Sequence, residues 1–148
     1  MMQTASVRGK KQPLSGMASR QYSWSPERRR YVRYPCAWTI RFCELTEKSS
    51  PKPFYTGKCK NVSQGGMKIS SLQPVSRKAM VLLEIDPNLF AKHIKLKNIL
   101  RVTENRVLTE VAWRHLNLET GVFEAGLFFL KESERNKYKS LIAQASAI

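Results

Sequence analysis

Two short clusters hold most of the recognisable chemistry in this chain: Arg28-Arg29-Arg30-Tyr31-Val32-Arg33 and, further along, Asn61-Val62-Ser63-Gln64-Gly65-Gly66. An arginine fork donates two parallel bonds to guanine O6 and N7, worth about 1–3 kcal/mol of discrimination against other bases. The same planar cation stacks on a purine face and pairs with phosphate in a two-point geometry that lysine cannot match. In the second cluster, Asn61 offers both a donor and an acceptor to a base edge, and Ser63 offers a hydroxyl. Gly65 and Gly66 can take positive φ and expose amide N–H groups to an anion. Together the clusters suit a ligand that is anionic, planar and rich in acceptors, which is the chemistry of a guanine nucleotide. Each also has a simpler reading. An arginine run serves as a solvated patch or general nucleic-acid anchor, and Asn-x-Ser-x-x-Gly serves as a hairpin turn with side-chain caps.

What positions these residues is legible as a series of short alternating segments. Arg29 and Arg33 would share a face on a helix, but Pro35 and the alternation after it favour an extended approach. Cys36, Trp38, Ile40 and Phe42 fall on one face of a first strand, with Ala37, Thr39, Arg41 and Cys43 on the other. Residues 47–53, with two serines and two prolines, read as a loop. Further strands are expected at 55–60, leading into the Asn61 turn, and at 67–70, before Gln73-Pro74 breaks the pattern. Residues 80–85 are continuously apolar and so buried on both sides. Residues 94–102 suggest a long fifth strand, bulged because Ile99 is out of phase. Val107, Thr109, Val111 and Trp113 alternate in a sixth, and 122–130 supply a seventh after a turn at 117–121. Trp38 and Trp113 read as core residues. From Ser133, read as an N-cap, Tyr138, Leu141, Ile142 and Ala145 recur at helical intervals, giving a terminal helix of about three turns. The expectation is an all-β antiparallel barrel of six or seven strands with a C-terminal helix.

Composition bounds the rest. A chain of 148 residues with 42% hydrophobic and 9% aromatic content is one globular domain rather than a disordered segment. The balance of 26 Lys+Arg against 11 Asp+Glu gives +15, a bias towards anionic partners. Residues 1–33 hold eight of the basic side chains and a single acid, Glu27. Residues 1–26 are polar, interrupted by Gly and Pro and without periodicity, and read as a flexible basic tail ahead of a domain at 27–148. Cys36, Cys43 and Cys59 are odd in number and form no CxxC pair, so no disulfide framework and a reducing cytoplasm are expected. His93 and His115 lie at no ligand spacing from a cysteine, so no metal site is expected. The sequence shows no apolar run long enough to cross a bilayer and no signal-peptide core.

The order Arg-x-x-x-Arg, strand, loop, strand, then Asn-x-Ser-x-x-Gly resembles the PilZ domain, a bacterial receptor for cyclic di-GMP. Met67-Lys68-Ile69 resembles the short strand after that family's second motif. Val111-Ala112-Trp113 and Ala125-Gly126-Leu127-Phe128-Phe129 resemble its later strand pair. The resemblance covers about residues 27–145 and implies a PilZ-like β-barrel that binds cyclic di-GMP without a cofactor. It implies that Arg29 and Arg33 clamp guanine and phosphate from the segment before the barrel, while Asn61, Ser63, Gly65 and Gly66 bind from the barrel surface. Asn61 stands where many members have aspartate. Arg28 holds the place that accompanies a stacked pair of ligand molecules, so two per protomer are expected.

The expected function is therefore a nucleotide-gated switch without covalent chemistry, in which ligand binding orders the arginine segment and presents a surface to an effector protein. A basic barrel that binds nucleic acid and a ligand-independent PilZ-like adaptor are the alternatives. An enzyme is not expected, since no acid–base pair, nucleophile–histidine set or metal cluster is apparent.

Overall fold

The alternation read from the sequence becomes a closed ring of strands in the computed structural model, which describes residues 31–45 and 53–148. The expected tail at 1–26, Arg28, Arg29, and most of the expected loop at 47–53 lie outside the described residues. In chain order the strands are β1 (Tyr34–Pro35), β2 (Thr39–Leu45), β3 (Tyr55–Val62), β4 (Gly66–Ser71), β5 (Met80–Glu84), β6 (Arg101–Thr103), β7 (Arg106–Asn117) and β8 (Val122–Phe129). Six of them run in the order β8-β4-β3-β2-β5-β7, and β7 pairs back onto β8 to close the barrel. Every pairing is antiparallel. Closure leaves the six strands without a free edge.

Inward positions of each strand build the barrel core. Ile40 and Phe42 of β2 meet Cys59 and Val62 of β3, Met67 and Ile69 of β4, and Ala125, Leu127 and Phe129 of β8. The apolar run in β5 has the two-sided burial it implied. Val81 and Leu83 face the barrel, whereas Leu82 joins Cys43, Leu45, Leu108 and Leu130 in a second cluster on the outside of the ring. Helix α2 (Lys139–Ser146) covers that cluster with Leu141 and Ala145. Each fully buried leucine there contributes about 1.5–3 kcal/mol.

The ends of the chain segments differ from the sequence expectation in two places. Residues 94–102 are not a long strand. Asp86 accepts from the Asn88 N–H at 2.9 Å and Pro87 opens a one-turn helix, α1 (Pro87–Phe90), followed by a 3-10 turn (Leu96–Asn98), so only Arg101–Thr103 remains extended. An Asp-Pro start is a helix signal, and the apolar residues after it fill the barrel core from a turn rather than alternate along a strand. At the C-terminus, Ser133 caps nothing. A 3-10 segment (Glu132–Tyr138) comes first, pinned by Arg135, which bonds Glu132 at 2.6 and 2.8 Å and the Arg101 carbonyl at 2.8 Å.

Candidate functional site

The Asn61 cluster is the end of β3 and the hairpin into β4. Ser63 and Gly66 exchange backbone bonds, Ser63 N–H to Gly66 O at 2.8 Å and Gly66 N–H to Ser63 O at 3.4 Å, leaving Gln64 and Gly65 at the tip. The Ser63 hydroxyl accepts the Gly65 N–H at 3.2 Å, and Phe129 N–H donates to Gly65 O at 3.0 Å. Gln64 grips the backbone of Lys95 at two points, accepting from its N–H at 2.7 Å and donating to its carbonyl at 3.0 Å. The turn is thus tied both to β8 and to the segment after α1.

The glycines do a different job from the one their motif suggested. Neither Gly65 nor Gly66 has positive φ; among the described residues Gly121 is the glycine that does. Their amide N–H groups are already bonded to Ser63, so they form no open anion nest. What both positions require is the absence of a side chain. A Cβ on Gly66 would collide with the Leu127 carbonyl oxygen, and one on Gly65 would meet the Tyr31 ring at 3.0 and 3.2 Å.

That last contact joins the two clusters. Tyr31 lies in the middle of the arginine run, and its ring rests on the tip of the hairpin. Immediately after Arg33 the chain pairs with β3, Tyr34 opposite Val62 and Pro35 opposite Asn61. The same side of β3 is taken over by β2 lower down, so β1 and β2 act as two pieces of one extended run. Of the residues singled out from sequence, Arg33, Asn61, Ser63, Gly65 and Gly66 therefore gather at one end of the barrel. Arg33 is exposed there, and the other four are half-buried.

A bulge aims Asn61. Lys60 is the extra residue between the Cys59–Ile69 and Asn61–Lys68 pairs, so strict alternation fails. Cys59 and Val62 stay buried while Lys60 and Asn61 both reach the outer surface. A second bulge does the same for Trp113. The register of β7 on β8 slips between Gly126 and Leu127, with Val111 opposite Leu127 and Trp113 opposite Gly126. Trp113 is 46% exposed and not a core residue. Its indole lies on Gly126, where a Cβ would come within 2.8 Å of Cδ1. One cross-strand row on the outside of the barrel then reads Asn61, Lys68, Gly126, Trp113. Exposed Phe128 is next to it, opposite Gly66. The sequence signal for Trp113 was Gly126 itself, a glycine inside a strand, which marks a bulge or a covering group.

The cysteines also differ from expectation. Cys36 and Cys59 are joined in a disulfide, Cα atoms 6.0 Å apart, whereas no disulfide was expected. Counting and CxxC spacing do not register cross-strand partners. Here Cys36 N–H donates to Lys60 O at 3.2 Å and Cys59 N–H to Trp38 O at 2.8 Å, which brings the two side chains together. Cys43 is free and buried in the second cluster, and burial pushes its thiol up from the ordinary value. Trp38 is only partly buried. It stacks near His93, which in turn stacks on Tyr34 with centroids 4.5 Å apart.

A cavity of about 320 Å³ lies at the other end of the barrel, lined by Ser71, Val75, Arg114 and Phe123. It includes none of the residues in either motif. The candidate site is an open surface, suited to a flat ligand lying on the sheet. Among the described residues there is no group of three or more His, Cys, Asp or Glu able to hold a metal, and no helix long and apolar enough to cross a membrane.

The PilZ domain profile matches residues 27–144, and the chain belongs to the PilZ domain family. Among solved structures, the fold is similar to the PilZ domain with c-di-GMP of YcgR from Escherichia coli. That similarity is at 14% identity and a TM-score of 0.38, over 78% of this chain and 88% of that one. No curated protein matches.

Proposed function

We propose that this chain is a cytoplasmic, non-enzymatic receptor for cyclic di-GMP that signals to a partner protein. The observation that supports this most directly is the meeting of the two motifs, with Tyr31 on Gly65 and Pro35 opposite Asn61. Arg33, with Arg28 and Arg29 before it, supplies guanidinium forks for guanine and phosphate. Asn61 takes a base edge from the bulged strand, and Ser63 takes a phosphate or ribose oxygen. Gly66 keeps the sheet surface flat, and the open face of the Trp113 indole accepts a base.

Magnitudes are in keeping with this. Stacking on an aromatic ring contributes about 1–3 kcal/mol per base, and each arginine–guanine pair a similar amount. Micromolar affinity corresponds to about −8 kcal/mol, within reach of these contacts after ordering costs. A dianionic ligand neutralises the arginine segment and draws it over Asn61 and Ser63, which alters the surface around Tyr31 that an effector reads. Arg28 supports a stoichiometry of two stacked ligand molecules.

Isothermal titration with cyclic di-GMP, competed by GTP, cyclic di-AMP and single-stranded oligonucleotide, tests the proposal. Saturable binding that only cyclic di-GMP displaces, and a loss of at least about tenfold for Arg33→Ala, are the expected results. Displacement by oligonucleotide with a log–log salt slope approaching one unit per phosphate would favour a nucleic-acid-binding barrel instead.

A further inference from the structure

The Cys36–Cys59 bond lies between the two halves of the proposed site. Cys36 follows Arg33 by three residues, and Cys59 precedes Asn61 by two. Between those points the backbone pairing of the arginine segment with the barrel is short. β1 pairs only two residues with β3, and one of them, Pro35, has no N–H to donate. Non-covalent ties include the Cys36 N–H to Lys60 O bond, the stack of Tyr34 on His93, the packing of Tyr34 and Cys36 against the barrel core and the Tyr31 ring on Gly65. Among these ties of the described residues, the covalent link is the one that a change of redox state removes.

We propose that Cys36 and Cys59 form a redox-modified site, and that its oxidation locks the register of the arginine segment on β3 and so tightens nucleotide binding. The second half of that statement rests on the receptor reading above. Cys36 is half-buried and Cys59 fully buried, so Cys36 is the sulfur that meets a reagent first. Its thiolate attacks one sulfur of a low-molecular-weight disulfide such as oxidised glutathione, and one small thiolate leaves, taking up the proton Cys36 lost. Cys59 then attacks the Cys36 sulfur of the mixed disulfide, and the second small thiolate leaves with the Cys59 proton. Two protein thiols are oxidised and one small disulfide is reduced to two thiols. A dithiol such as dithiothreitol reverses the exchange.

The direction of the effect follows from preorganisation. In the dithiol form β1 is held by its non-covalent contacts alone, and binding must fix the backbone of several residues before Arg33 can reach the ligand. In the disulfide form part of that ordering is already done. Cys43 serves as an internal control, because it is buried on the far side of β2 beneath α2.

The test compares cyclic di-GMP affinity of the full chain after oxidised glutathione and after dithiothreitol, with peptide mapping to locate the bond. The oxidised protein is expected to bind about five- to tenfold more tightly. Cys36→Ser and Cys59→Ser are expected to bind as the reduced protein does under both treatments, while Cys43→Ser keeps the full response. Equal affinity of the two forms, a Cys43→Ser variant that loses the response, or a map in which Cys36 and Cys59 stay unlinked after oxidation overturns the proposal. If neither form binds nucleotide, the receptor reading fails and the lock is judged alone by amide exchange at Tyr34 and Val62. Slower exchange in the oxidised protein then upholds it, and equal exchange sinks it.

Discussion

Replacing Gly66 with alanine separates the packing role of this glycine from the conformational role its motif suggests. The added methyl would sit on the Leu127 carbonyl oxygen, 3.1 Å from its carbon and 3.3 Å from Phe128 Cα. These are backbone atoms of β8, and no rotamer moves them away. Restoring ordinary carbon contacts of about 3.5–4.0 Å requires β4 and β8 to part by about an ångström. That shift loads the Gly66–Phe128 pair and the neighbouring bond from Phe129 N–H to Gly65 O. Because the barrel is closed, the displacement cannot be relieved at an edge. The cost belongs at the upper end of the overpacking range, about 2–3 kcal/mol, or a fall in melting temperature of about 10 °C for a domain of this size. Gly65→Ala is the comparison. Its methyl meets side chains rather than backbone, the Tyr31 ring and, at 3.9 Å, the Ser63 hydroxyl, so stability should change by less than about 0.5 kcal/mol while nucleotide affinity falls. Thermal and urea unfolding followed by far-ultraviolet circular dichroism reads both variants. A Gly66→Ala protein as stable as the parent, or a Gly65→Ala protein destabilised equally, would refute the packing argument.

Other outcomes follow from the same geometry. Trp113→Ala should weaken cyclic di-GMP by about tenfold, the lower half of the range for a lost base–aromatic stack, and abolish the ligand-induced change in tryptophan fluorescence from the sheet surface. Unchanged affinity would remove Trp113 from the site. Asn61→Asp places a charged acceptor on the bulge and should tighten binding by about two- to fivefold, as expected for a charge-assisted bond; titration calorimetry decides. The Arg135 guanidinium holds the Glu132 carboxyl below its ordinary value. A lowered folded-state pKa adds stability above the unfolded pKa and loses it as pH falls through the folded one. Glu132→Gln should therefore cost a few tenths of a kcal/mol at neutral pH for so exposed a pair, and the difference should vanish in acid. Burial raises the Cys43 thiol, so iodoacetamide at mildly alkaline pH should leave it unmodified in the folded protein and label it in urea.

The strands that alternate cleanly, and the two-sided run at β5, were legible because inward and outward positions repeat every two residues along a local stretch. The two motifs were legible because arginine, asparagine and serine carry their chemistry wherever they stand. Local pattern failed where closure of the barrel changed the phase. Trp113 continues the apolar series Val107, Thr109, Val111 on paper, yet one extra residue at Ala112 turns it outward beside Asn61's row. The long strand expected at 94–102 shrank to Arg101–Thr103, paired with β7, because Ile94 and Ile99 fill the barrel core from either side of a 3-10 turn at Leu96–Asn98.

Sequence by itself determined the residue types at the site, the strand periodicity and the family. Tertiary structure alone decided that Tyr31 lies on Gly65, that Gly66 exists to let β8 pass, that Trp113 shares a surface with Asn61, and that Cys36 meets Cys59. All four depend on register between strands far apart in the chain, and register is set by bulges and ring closure rather than by any residue's own preference.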